Sequence, residues 1–169
     1  MGTNPADELV DVIDEAGYTI GVVTRREMRT GRLPHRCTYV LVFNSAGELF
    51  IHLRTPTKDV YPSHWDVCIG GVLAAGESFD QGVKREIAEE LGIDTDATPL
   101  FDFHYRDDAT FAHGKVYRVR HDGPFRLQAE EIVRGEFVTL AEALARIQRT
   151  PFCPDGVVVL QRFLARELP

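Results

Sequence analysis

GGVLAAGESFDQGVKREIAEELGI, residues 70–93, joins a glycine-rich loop to a segment with helical periodicity. Apolar residues recur at Phe79, Val83, Ile87, Ala88 and Leu91, which predicts one buried stripe on a helix from Phe79 to Leu91. Ser78 stands where an N-cap is wanted, and Gly92 where the chain must turn left-handed. At about 100° per residue, Glu86, Glu89 and Glu90 fall within an arc of roughly 100° beside the stripe. Like charges so spaced oppose each other by roughly a few tenths of a kcal/mol per pair, so a counter-charge is expected. Magnesium or manganese would supply it, because hard cations prefer carboxylate oxygens.

A glutamate-rich helix is often only a solvated face. Gly70, Gly71 and Gly76 argue otherwise, since a solvated helix needs no such loop, whereas a backbone bending around an ion and a phosphate does. The pattern is Gly71, five residues, Glu77, seven residues, then Arg85-Glu86-Ile87-Ala88-Glu89-Glu90-Leu91-Gly92-Ile93. It matches every fixed position of the Nudix signature, and the chain resembles a Nudix hydrolase. The resemblance implies that Glu86, Glu89 and Glu90 bind metal, with the carbonyl of Gly70 or Gly71 as an extra ligand. Arg85 would orient the site through a buried ion pair with Glu77. It further implies water attack on the phosphorus of a diphosphate joined to another moiety, with Glu89, Glu90 or the distal Glu131 as the base. Glu131 lies in LQAEEIVRGEFVTL, six residues before Phe137, and also reads as a solvated loop carboxylate.

The 169 residues are 44% hydrophobic and suit one domain spanning 1–169. The net charge of −7 comes from 19 Lys plus Arg against 26 Asp plus Glu, and argues against a nucleic-acid polymer as partner. The partner expected is a small-molecule diphosphate. No apolar run approaches the roughly 18 residues that span a bilayer, and MGTNPADELV lacks a basic start followed by an apolar core. A cytoplasmic protein without membrane contact is expected. Cys37, Cys68 and Cys153 are odd in number and form no CxxC pair, which predicts reduced thiols rather than disulfides or structural zinc.

ELVDVID and YTIGVVT around Glu15-Ala16-Gly17 predict an N-terminal hairpin over about 8–24, which could pair across a homodimer. A short helix at Arg25–Arg29 follows. RCTYVLVFN and ELFIHLR predict a second hairpin with a central first strand, and RTPTKDVYPSHW a loop leading to the signature. LFDFHYRD and HGKVYRVRHD read as strands joined by Asp108–Ala112, and GEFVTL as another. LAEALARIQ and the segment after Pro154 read as helices. The whole is α/β. The resemblance implies the Nudix fold, an α/β/α sandwich around a mixed sheet.

Arg54, Trp65 and Glu77 are candidate substrate contacts. Tyr61, His64 and Trp65 could stack on a base, although an aromatic pair beside proline more often only packs, and Arg25, Arg26 and Arg36 could also meet phosphate. None of the six histidines shows HxxxH or HExxH spacing. The region from LPHRCTYVLVFN to WDVCIGGVLAAGE is also similar to isopentenyl diphosphate isomerase, a Nudix relative that moves a double bond. Aligned on Trp65 and Gly71, the isomerase's cysteine falls on Gly70 and its histidine on Val72, while Cys68 is two residues short. Its later acidic pair falls on His113 and Lys115. The pattern therefore favours an isomerase-like hydrolase over the isomerase, or over a non-catalytic nucleotide-binding module that has lost glutamates. Substrate choice is expected from Thr55–Trp65, Asp107–Gly114 and Leu127–Gly135, with nucleoside diphosphate derivatives ahead of isoprenoid diphosphates.

Overall fold

A computed structural model describes residues 4–167. β1 (Leu9–Ile13) and β2 (Thr19–Thr24) form the expected N-terminal hairpin, and α1 (Arg25–Gly31) follows directly. Thr24 caps α1 through a reciprocal box with Glu27. β3 (His35–Phe43) is buried at every position but Arg36, as a strand packed on both faces must be.

β4 (Leu49–Arg54) and β3 were expected to form a hairpin. They pair only at Phe43↔Leu49. Beyond that point they splay, because β3 is committed along its length to the parallel strand β7 (Phe111–Arg120). The wedge is filled by β5 (Trp65–Asp66), which pairs with β4, and by residues 69–73, which run antiparallel to β3. Thr38 N–H donates to the Gly71 carbonyl at 2.9 Å, and Leu73 N–H to that of Arg36 at 3.0 Å. The glycine loop is thus held as an inserted ribbon in the sheet.

β6 (Thr98–Arg106) pairs antiparallel with β7, and β8 (Ile132–Val138) with the free edge of β4. The β6–β7 connection ends at Thr110, two residues earlier than the sequence suggests, and β8 begins before GEFVTL. One face of this mixed sheet carries α3 (Leu140–Ile147) and α4 (Pro154–Glu167), over a core containing Tyr39, Leu41, Phe103, Val159 and Leu160. The other carries α2 (Phe79–Leu91), whose Val83, Ile87 and Leu91 meet Val40, Val42 and Phe50. The result is the expected α/β/α sandwich. The hairpin docks on the glycine loop, where Ala75 N–H donates to Leu9 O (2.8 Å) and Gly76 N–H to Asp11 Oδ2 (3.0 Å).

Candidate active site

α2 begins and ends where the sequence places it. Ser78 and Gln81 form a capping box, and Gly92 closes the helix at φ 67°, a left-handed angle that glycine adopts without strain. The apolar stripe differs in one member: Ala88 is exposed, and its expected place is taken by Glu86 and Glu90, which are buried.

The three glutamates therefore do not form one edge. Glu86 and Glu90 are 8% and 6% exposed and lie close enough for each to perturb the other's charge. Burial first, and then mutual charge at Glu90, push both carboxyls above the usual range, although Arg85 offsets part of the rise at Glu86. Glu89 is exposed and reaches back to Arg85 Nη1 at 3.1 Å. Arg85 also donates to Glu86 Oε1 at 2.9 Å and, through Nε and Nη2, to the two oxygens of Glu77 at 2.8 and 2.9 Å. That fork-to-fork pair is the expected Arg85–Glu77 contact. It is only partly buried, with the Arg85 side chain one-third exposed, and Glu77 is occupied by it rather than turned toward a substrate. Partial burial raises the Glu77 carboxyl, but the hydrogen bonds from Arg85 and Ala74 hold it below its ordinary value.

Two glycines bring loop and helix together. A Cβ on Gly70, at φ 134°, would lie 2.2 Å from the Thr38 carbonyl oxygen. A Cβ on Gly71 would lie 2.9 Å from Glu86 Oε1, so the carboxylate rests where a side chain would otherwise stand. Among the described residues no three His, Cys, Asp or Glu side chains gather as a ready-made metal cage. The fit to a divalent cation lies in two buried acids one turn apart and in a cradle open only because Gly71 lacks Cβ, with Gly70 next to it in the chain. The Gly71 carbonyl, the alternative backbone ligand, is taken by Thr38.

A cavity of about 70 Å³ opens at Gly70–Gly71. Its walls carry Arg25, Arg29, Arg54 and Lys58, and also Asp66 and Asp155. Loop 55–64 covers it and is tied down at several points. Asp59 accepts from Arg25 Nε (3.1 Å) and Arg29 Nε (3.0 Å), Lys58 pairs with Glu131, and the Tyr61 hydroxyl donates to Asp107. Gln128 N–H donates to the Glu90 carbonyl (3.1 Å), and Thr55 N–H to that of Glu131 (3.1 Å), so Glu131 is held beside the helix end.

Arg54 lines the cavity, but two of its nitrogens are spent on the Val60 and Tyr61 carbonyls, at 2.8 and 3.3 Å. Trp65, expected as a substrate contact, is packed in the core against Phe152 with Arg134 over its ring. Arg26 is exposed and paired with Asp7, while Arg36 holds the hairpin through Asp11 and the Gly17 carbonyl. Cys68 is buried, and burial pushes its thiol well above the ordinary value. Lys58, Asp66 and Asp155 were not singled out from the sequence. The signal was present for two of them: an aspartate between Trp65 and Val67 in an apolar run, and one following Pro154 at a helix start.

Residues 33–163 match the Nudix domain family. The chain is 38% identical over 158 residues to a Nudix hydrolase of Pseudomonas aeruginosa, PA4841, covering 93% of this chain and 94% of that one. It is 33% identical over 162 residues to the Nudix hydrolase YfcD of Escherichia coli, covering 94% and 88%. The crystal structure of DR0079 from Deinococcus radiodurans superposes with a TM-score of 0.81 at 26% identity, over 92% of this chain and 98% of that one. With the signature helix, the glycine cradle and the mixed sheet all in place, these matches show that the chain belongs to the Nudix family of hydrolases.

Proposed function

We propose that this hydrolase cleaves the diphosphate linkage of a nucleoside diphosphate derivative or a related organic diphosphate, with magnesium or manganese held by Glu86, Glu90 and the Gly70 carbonyl. The observation that carries this reading is the buried Glu86, paired one turn along the helix with buried Glu90, seated against Gly71, which itself lines a cavity with a cationic wall. A bound divalent ion would screen the phosphate charge and acidify a water. Arg85 fixes Glu86 by a direct hydrogen bond and is itself fixed by Glu77. Arg25, Arg29 and Lys58 offer donors to the phosphate oxygens. Glu89, exposed and paired with Arg85, and Glu131, paired with Lys58, are the carboxylates left to take a proton from water, while Glu90 is better suited to hold metal.

The isomerase alternative is disfavoured by geometry. Its nucleophile position is Gly70, where a Cβ would strike backbone, and Cys68 is buried with its thiol strongly protonated. The isomerase-like hydrolase branch and a cytoplasmic setting remain part of the proposal. Among the described residues no helix is long and apolar enough to cross a membrane. A hydrolysis screen over nucleoside di- and triphosphates, dinucleotides, nucleotide sugars and prenyl diphosphates, with each metal compared, tests the reading. Metal-dependent release of phosphate or nucleoside monophosphate is the expected result. Tight ligand binding with no turnover across the panel would favour a binding module instead.

A further inference from the structure

Strand register brings together two histidines that no sequence spacing pairs. His104 on β6 stands directly opposite His113 on β7, with ring centroids 4.2 Å apart and planes tilted by 32°. His113 is only 9% exposed. Burial acts on it first, then the charges of His104 and Arg36, offset by Asp14, and no hydrogen bond contributes. Ring contact explains why the two lie together, but not why a nine-tenths-buried imidazole has no partner. Both rings line a second cavity, of about 260 Å³, between the sheet, Phe79 at the start of α2 and the turn of the N-terminal hairpin at Glu15–Gly17. It shares no lining residue with the cavity at Gly70–Gly71.

We propose that this second cavity binds a transition-metal ion of the zinc class, held by one nitrogen each of His104 and His113, with water completing its shell. The site is separate from the glutamate centre and does not depend on the hydrolytic reading. Charge selects a cation. Glu15 and Asp102 line the cavity, while the nitrogens of Arg36 are taken by Asp11, Thr19 and the Gly17 carbonyl. Lys115, opposite Asp102, holds its ammonium over the Tyr117 ring. Ligand type selects the ion, because imidazole nitrogens suit zinc, copper and nickel, whereas magnesium and calcium prefer oxygen. Burial holds His113 below its ordinary value, so its ring is neutral at pH 7 and keeps a lone pair for metal. Bonds of about 2.0–2.1 Å let one ion join two rings this close. Among the described residues no third acid, histidine or cysteine completes the group, so the site is open and its affinity should be micromolar rather than that of a closed site. An ion here would neutralise the acids where the hairpin turn meets the sheet, and so steady the hairpin that braces the glycine loop at Ala75 and Gly76.

Equilibrium dialysis of metal-stripped protein against zinc, with magnesium in excess to occupy the glutamate centre, tests this. One zinc ion per chain should bind in the micromolar range. His104→Gln and His113→Gln should each weaken that binding roughly ten-fold or more, at least the loss seen when a metal ligand's supporting partner is removed. Should His113→Gln lose its cooperative thermal melt, His104→Gln decides alone, since that side chain is exposed. Nickel should displace the zinc and calcium should not. Zinc well above its dissociation constant should also raise the melting temperature of the native protein by roughly 5–10 °C, and that of His104→Gln much less. No zinc bound in the presence of magnesium, binding undiminished in His104→Gln, or displacement by calcium would overturn the site.

Discussion

Two pairs of acids are each set against a glycine with no room for a side chain, one behind Gly71 at the cavity and one in the cavity's own lining. Glu86 and Glu90 lie on one helix, one turn apart, and a Cβ on Gly71 would meet Glu86 Oε1 at 2.9 Å. Asp66 and Asp155 come from a strand and a helix far apart in the chain, and a Cβ on Gly156 would meet Asp66 Oδ1 at 2.4 Å. Each pair has one arginine, but the contacts differ. Arg85 touches Glu86 at 2.9 Å, while Arg54 stands 3.8 Å from Asp66 and spends its donors on loop carbonyls. The first pair is thus built around charge and suits a cation. The second is held by hydrogen bonds from the Cys68 and Gly156 N–H groups and the Tyr39 hydroxyl. Acid pairing alone does not mark a metal site; the partner geometry does.

The comparison breaks most visibly at Glu90. Glu90→Gln should lower turnover by roughly three orders of magnitude, because a metal ligand carries several kcal/mol of transition-state stabilisation. Glu131→Gln should cost much less. Wild-type turnover in Glu90→Gln, measured under saturating magnesium, would remove the metal-ligand assignment. Arg85→Lys should cost roughly ten- to a hundred-fold, since an ammonium cannot reproduce the forked bond to Glu77 while holding Glu86. The variant should still melt cooperatively. A large stability loss with unchanged specific activity would mean that Arg85 braces the fold rather than the site.

The helix-borne pair was legible in the sequence because every part of it is local. Spacing sets the face, Ser78 and Gly92 set the ends, and the signature sets the acids. Even so, periodicity misassigned Ala88 and missed that Glu86 and Glu90 turn inward while Glu89 turns out, because sheet packing rather than helix phase decides which flank is covered. The second pair depends on β3 leaving β4 after a single paired position, so that residues 65–73 enter the wedge and meet the start of α4. No spacing rule encodes that meeting. Trp65 was misjudged for the same reason: beside a signature loop it suggests a ligand contact, but the inserted ribbon turns it into the core.

The same substitution at each cradle sharpens the contrast. Gly71→Ala pushes against Glu86 Oε1 and should lower activity roughly ten-fold or more with little change in melting, since a 2.9 Å approach yields with a small side-chain shift. Gly156→Ala lies in a helix, where alanine would ordinarily gain up to about 1 kcal/mol. Here the 2.4 Å approach to a fixed carboxylate should reverse the sign, for a net loss of roughly 1–3 kcal/mol by denaturant titration. A stabilised Gly156→Ala would mean that Asp66 can move away, and that the contact between β5 and α4 is not rigid.

Stability against pH gives the smallest and most discriminating effect, because buried acids and buried histidines pull in opposite directions. Asp66 titrates higher folded than unfolded, so the stability it contributes at low pH is lost as pH rises toward about 7. His52 is 2% exposed with its Nδ1 unpartnered. Burial, then Arg54 and Lys58, lower it from 6.5 to about 3. The unfolded chain therefore takes up a proton near 6.5 that the folded chain refuses, and stability falls as pH drops, by about 2 kcal/mol near pH 5. His35, lowered to about 4 by burial and Arg29, acts in the same direction. His52→Phe keeps the packing against Phe50 and removes the orphaned nitrogen, so its melting temperature should fall less than that of the native protein between pH 7 and pH 5. Asp66→Asn should fall more, having lost the opposing carboxyl. If both variants follow the native slope, neither group is buried as charged chemistry requires, and the floor of the cavity is open to water.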